Sequence, residues 1–119
     1  MSDLVALRDG MRTFTHDRGW AGYHDPKSLI LALMGEVGEL AELFQWLPAD
    51  EASAAASTGD RHERVKDEIA DVLLYLVRLA DVLNVDLYDA SMTKLARATR
   101  KYAPGDSPNQ YREGRRPTS

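Results

Sequence analysis

Two pairs of carboxylates interrupt runs that otherwise read as the apolar interior of helices. Glu36 and Glu39 stand in Leu33-Met34-Gly35-Glu36-Val37-Gly38-Glu39-Leu40, and Glu68 and Asp71 stand in Glu68-Ile69-Ala70-Asp71-Val72-Leu73-Leu74. The members of each pair are three residues apart, so on a helix they share one face with Cβ atoms roughly 5–6 Å apart. If the two helices pack with these faces opposed, each like-charge pair at about 5 Å costs on the order of 3 kcal/mol at an effective dielectric near 20. A bound cation, Arg or Lys partners, or retained protons must offset that repulsion. An acidic, all-oxygen set of donors suits Mg²⁺, with Mn²⁺ as a substitute. For one such pair a solvated face with surface ion pairs is the commoner reading, and the second embedded pair brings the two readings level. Gly35 and Gly38 flank Glu36, and each costs its helix roughly 1 kcal/mol relative to alanine, so a neighbouring helix or a ligand is expected close to this backbone.

The surrounding periodicity is helical throughout. Leu4, Leu7, Met11 and Phe14 recur at three- and four-residue steps and predict a helix from Asp3 to Asp17, ended by Arg18-Gly19. Asp25-Pro26 reads as an N-cap with proline in the first turn, opening a second helix that continues to about Leu47, before Pro48. Val65, Ile69, Val72, Leu76, Leu79 and Leu83 define a third helix from about Arg61 to Leu83, with Asn84 suited to its end. Asp86 caps a fourth that reaches about Tyr102. Between the second and third, Pro48–Asp60 is small and polar and reads as a mobile connection. The expected architecture is all-α and four-helix bundle-like, with one domain over residues 1–104 and a flexible tail over 105–119. Apolar residues on several sides of the second helix imply that oligomerisation completes the core.

Composition narrows the partners. A formal net charge of −4 over 119 residues gives no basic face for a nucleic acid polymer. The absence of cysteine removes thiolate metal sites, thiol nucleophiles and disulfides together. Met1–Gly10 carries Asp3 and Asp9 and has no apolar stretch of signal-peptide length, and no segment elsewhere is apolar enough to span a membrane. A soluble, cytoplasmic protein is expected.

The run Gly35-Glu36-Val37-Gly38-Glu39-Leu40-Ala41-Glu42-Leu43-Phe44-Gln45-Trp46, with Glu68-Ile69-Ala70-Asp71-Val72-Leu73-Leu74-Tyr75-Leu76 after a spacer, resembles the MazG-like nucleotide pyrophosphohydrolases, most nearly their dCTP pyrophosphatase branch. The similarity extends from Met11 to Pro104. It implies an all-α dimer or tetramer that hydrolyses a nucleoside triphosphate, dCTP or a modified pyrimidine nucleotide, to the monophosphate and pyrophosphate with Mg²⁺. By the same resemblance Glu36, Glu39, Glu68 and Asp71 are the metal ligands and catalytic carboxylates. Trp20, His24, Trp46 and Tyr75 match base-pocket positions, while Lys94 and Tyr102 join the substrate-binding set. Gly35 stands where the wider family has an acidic residue, as it does in the dCTP branch. Met11 and Ala98 depart from that branch, which has His and Asn there, and this bears on which base and sugar are preferred.

Two other classes compete. A ferritin-like di-iron site expects Glu with His three residues later, and no Glu in this chain has one. A catalytically silent nucleotide sensor or helical interaction module would keep the scaffold and lose the turnover.

Overall fold

The computed structural model describes residues 2–105, and its regular structure is helical. Helix α1 spans Asp3–Asp17 and a 3₁₀ turn spans Ala21–Tyr23; α2 spans Pro26–Glu42, α3 Ala49–Ala56, α4 Gly59–Val82 and α5 Leu87–Lys101. The chain divides into two compact units at Val85 and Asp86, so α1 to α4 form the first and α5 belongs to the second.

The helix ends follow local side-chain chemistry. Ser2 Oγ accepts from the Val5 N–H at 3.2 Å, and Asp25 Oδ1 accepts from Ser28 N–H at 2.9 Å, with Pro26 in the first turn of α2. Asn84 takes φ +56° after α4, where its N–H bonds Asp81 O and Val85 N–H bonds Ala80 O. Those two bonds close a Schellman cap, for which asparagine tolerates the left-handed backbone. Asp86 Oδ1 then accepts from Asp89 N–H at 2.9 Å to begin α5.

Within the first unit α4 is the common partner. α2 packs on it most extensively, then α1, then α3. Leu29 of α2, Leu43 just beyond it, and Val65, Val77 and Ala80 of α4 are the buried apolar side chains, joined by Thr15 of α1. A long-range ion pair also ties α1 to α4, with Arg12 holding Asp81 through two nitrogens.

Two expectations are corrected. The second helix stops at Glu42 rather than Leu47, because Leu43, Phe44 and Leu47 donate to carbonyls three residues back and tighten the chain into turns. Arg61 Nη1 takes the freed Leu43 carbonyl at 3.0 Å. The Pro48–Asp60 connection contains α3, since its run of alanines has the highest helix propensity and Asp50 and Glu51 sit favourably at the positive end of the helix dipole. His62 Nδ1 lies 2.9 Å from Ala56 O and holds that helix's end to α4. The expected tail lies, from residue 106 onward, outside the described residues.

Leu29 of α2 is 1% exposed. Leu29→Ala is expected to destabilise the protein by about 2–5 kcal/mol in urea unfolding; a loss below about 1 kcal/mol would place the core elsewhere.

Candidate metal centre and adjoining pocket

The α2–α4 packing brings the two acidic pairs together. Glu36 and Glu39 of α2 and Glu68 of α4 each offer a carboxylate oxygen, all within 4.8 Å of one another. Glu36 and Glu68 are half-buried, Glu39 is exposed, and Oε2 of both Glu36 and Glu68 is buried without a hydrogen-bond partner. Ionised carboxylate oxygens only accept, so this cluster lacks the donors that would satisfy it. Burial pushes the Glu36 carboxyl up to about 7, helped by the hydrogen bonds that its protonated form could donate to Glu68 and Glu39 and by the charges of Glu39 and Asp71. Retaining a proton is one of the remedies named above, and a bound cation would replace it. Orphaned buried oxygens in an acidic, all-oxygen set fit a hard divalent cation.

The fourth carboxylate, Asp71, lies on the same face of α4 as Glu68 and reaches a second feature. A pocket of about 420 Å³ is lined by Leu7, Gly10, Met11 and Phe14 of α1, by Trp20 and His24 of the following turn, and by Asp71, Leu74 and Tyr75 of α4. Its size is in the range of small-molecule sites, as is its apolar lining with few polar groups. Phe14 and Trp20 meet edge to face, with ring centroids 5.6 Å apart and planes at 74°. The Arg18 guanidinium lies 3.6 Å over the Phe14 ring and donates to the Phe14 carbonyl. Asp71 thus faces both the pocket and the acidic cluster.

Of the ten site residues read from the sequence, the three glutamates form the cluster, and Asp71, Trp20, His24 and Tyr75 line the pocket. Trp46 lies in the turns after α2 and is 87% exposed, away from the pocket wall. Lys94 is on α5 and Tyr102 is its C-cap, both in the second unit. The close approach expected at Gly35 and Gly38 is absent among the described residues, because a Cβ at either would meet nothing within 4 Å. Sequence reading passed over Arg12, Arg78 and Asp81, which form a polar chain behind His24. The signal was present: Arg78 and Asp81 interrupt Leu76-Val77-Arg78-Leu79-Ala80-Asp81 as the acidic pairs interrupt their own runs.

Fold and site together define an all-helical protein with an interhelical carboxylate centre beside an aromatic pocket. The chain belongs to the MazG-like family, whose sequence profile matches residues 32–112. It is 44% identical to dCTP pyrophosphatase 1 of Bos taurus over 89 residues, which is 75% of this chain and 53% of the relative. It is 43% identical to dCTP pyrophosphatase 1 of Homo sapiens over 75% of this chain and 52% of that one. The chain therefore spans about half the length of the curated relatives it matches. A crystal structure of a pyrophosphatase from Archaeoglobus fulgidus superposes with a TM-score of 0.78 and 39% identity, covering 86% of this chain and 94% of that one.

The raised Glu36 value fixes the sign of a pH effect. Between the ordinary value of 4.5 and about 7 the folded protein binds more protons than the unfolded chain, so its stability without metal falls as pH rises through that window. The melting temperature in chelator should therefore drop from about pH 5 to about pH 8, and Glu36→Gln should flatten the drop. Stabilisation by added Mg²⁺ should grow over the same range, because binding displaces the proton. A pH-independent Mg²⁺ effect would contradict the assignment of Glu36 to the centre.

Proposed function

We propose that the protein is a nucleoside triphosphate pyrophosphohydrolase that converts dCTP or a modified pyrimidine nucleotide to the monophosphate and pyrophosphate with Mg²⁺. One observation carries this reading: Asp71 joins the carboxylate cluster to an aromatic-walled pocket. Charge for phosphates and a stacking surface for a base then lie side by side. The dCTP pyrophosphatase names of the relatives support the substrate class.

Glu36, Glu39, Glu68 and Asp71 would hold Mg²⁺, or Mn²⁺ in its place. When bound, the cation supplies positive charge to phosphate oxygens that the acidic cluster alone would repel. Hydrolysis forms a bond from water oxygen to the α-phosphorus and breaks the bond to the bridging oxygen, so pyrophosphate leaves with that electron pair. A carboxylate of the cluster accepts the water's proton. Trp20 and Tyr75 offer planar faces to the base, and His24 offers a polar contact. Lys94, Trp46 and Tyr102 are carried as substrate-binding residues on the family resemblance alone, with Lys94 offering a cationic group suited to phosphate. Met11, in place of a histidine, leaves the α1 side of the pocket apolar and favours a base that carries little polarity on that side.

Assembly as a homo-oligomer, dimer or tetramer, is supported by apolar side chains left on the first unit's surface. Leu31 and Met34 of α2 are 60% and 66% exposed, and Ile69 of α4 is 53% exposed. Sedimentation should find a multimer that Met34→Glu dissociates; a monomeric wild type would remove this part of the reading. Among the described residues no helix is long and apolar enough to cross a membrane. Action on the cytoplasmic nucleotide pool, without a nucleic acid polymer, is the corresponding setting.

Pyrophosphate release from a panel of canonical and modified nucleoside triphosphates, with and without Mg²⁺, tests the activity. Magnesium-dependent release is expected, and Glu39→Gln should lower it by at least about 100-fold, roughly 3 kcal/mol of transition-state stabilisation. Thermal stabilisation by a nucleotide without any product would favour the silent sensor instead.

A further inference from the structure

Behind the pocket wall a polar chain runs from α1 to His24. Arg12 donates to both carboxylate oxygens of Asp81, from Nε at 2.7 Å and from Nη2 at 2.5 Å. Asp81 also accepts from Nη1 of Arg78 at 3.3 Å, and Nε of Arg78 donates to Nδ1 of His24 at 3.1 Å. The Arg78 and Asp81 side chains are 13% and 9% exposed, so these charges depend on each other for the hydrogen bonds that water would otherwise provide.

A guanidinium N–H only donates. The His24 nitrogen that faces it must present its lone pair, which puts the ring hydrogen on Nε2 and leaves the imidazole neutral. Among the described residues nothing else bonds Nε2, while His24 itself lines the pocket with Phe14, Trp20 and Tyr75. We propose that Arg78, held in place by Asp81 and Arg12, is a positioning residue that locks His24 as its Nε2–H tautomer, so that the pocket reads its base with one fixed hydrogen-bond donor. The nature of the ligand rests on the pyrophosphohydrolase reading; the tautomer rests on the geometry alone. The matching group on the base is a carbonyl oxygen or an unprotonated ring nitrogen. An amino group or a cation at that point meets a donor and is refused.

The division of the Arg78 fork favours positioning over a purely structural tie. Arg12 and Asp81 already join α1 to α4 through both carboxylate oxygens. Arg78 sits on the same helix as Asp81, three residues before it, so their bond links no further elements. What Arg78 adds is the hold on His24, across 54 residues of chain. Burial, and then the Arg78 charge, also lower the His24 value from its usual 6.5, which keeps the ring neutral near neutral pH.

Long-range ¹H–¹⁵N correlation spectra of the metal-free, nucleotide-free protein at about pH 7.5 read the tautomer directly. His16 and His62 are the chain's other histidines, and single substitution of each assigns the signals. The expected pattern for His24 is a bare Nδ1 and a hydrogen-bearing Nε2. Hydrogen on Nδ1, or an average of the two tautomers, overturns the proposal. In turnover, Arg78→Leu and His24→Ala should each raise KM about ten-fold with kcat changed by less than about two-fold. The double variant should resemble either single one, since Arg78 acts through His24. Rises in KM that multiply, or losses confined to kcat, overturn the positioning role. His24→Gln retains an N–H donor and should recover most of the loss seen with His24→Ala while remaining indifferent to Arg78→Leu. If Arg78→Leu fails to fold, the wild-type spectrum still decides the tautomer. A protein that hydrolyses no nucleotide would remove the pyrophosphohydrolase reading while leaving the spectrum to report on His24, so the two fail separately.

Discussion

The contact between α2 and α4 sets up everything else, because it is favourable for the aliphatic side chains and unfavourable for the acids at the same place. Leu29, Val65 and Val77 are buried in the first unit, which α2 and α4 dominate, while Glu36, Glu39 and Glu68 are brought within 4.8 Å of one another. Burying apolar side chains contributes about 1.5–3 kcal/mol each, enough to hold carboxylates closer than they would stand in water. The cost shows as the raised Glu36 value, set first by burial and then by the neighbouring carboxyls, and as two buried oxygens without a partner. A helix pair selected only for stability would carry leucine there. The strain therefore marks the place where a ligand is expected to contribute what the fold does not.

How much of this was legible in the sequence depends on the range of the interaction. Two helix starts were readable because caps are local: Asp25 and Asp86 each bond an N–H three residues on. The acidic pairs were readable because a three-residue step places side chains on one face without knowledge of the fold. The end of α2 was not, since it is fixed in part by Arg61, eighteen residues away, taking the Leu43 carbonyl. The helix in the connection was missed because small, polar composition was read as an absence of structure, although alanine needs no core to prefer helix. The Arg12–Asp81 pair joins residues 69 apart, and no spacing in the sequence points to it.

The two polar systems of the first unit solve the same problem in opposite ways. Around Asp81 the charges are complementary: Arg12 and Arg78 hold its carboxyl below the usual carboxylate range, Arg12 foremost. That contribution to stability is present above the ordinary value of 3.8 and is lost only as pH falls below it. Around Glu36 the charges are alike, and stability is lost as pH rises toward about 7. One network is complete within the chain, and the other is left open. Completeness suits a support, and incompleteness suits a site that must take up a cation and release it.

α4 relates the two. Glu68, Asp71, Tyr75 and Arg78 follow one another at steps of three, four and three, so a single stripe of that helix carries an acidic ligand, the acid that borders the pocket, an aromatic wall and the support for His24. At 1.5 Å per residue, Glu68 and Arg78 are separated by about 15 Å along the axis, and the pocket lies between them. A ligand with its anionic end at Glu68 would extend its other end along the stripe toward Tyr75 and His24. Rigid helix spacing rather than loop conformation then sets the distance between the charged end and the recognised end. That arrangement suits an elongated ligand with phosphates at one terminus and a planar base at the other, and it accounts for why Asp71 and Arg78 interrupt the otherwise apolar run that follows Glu68.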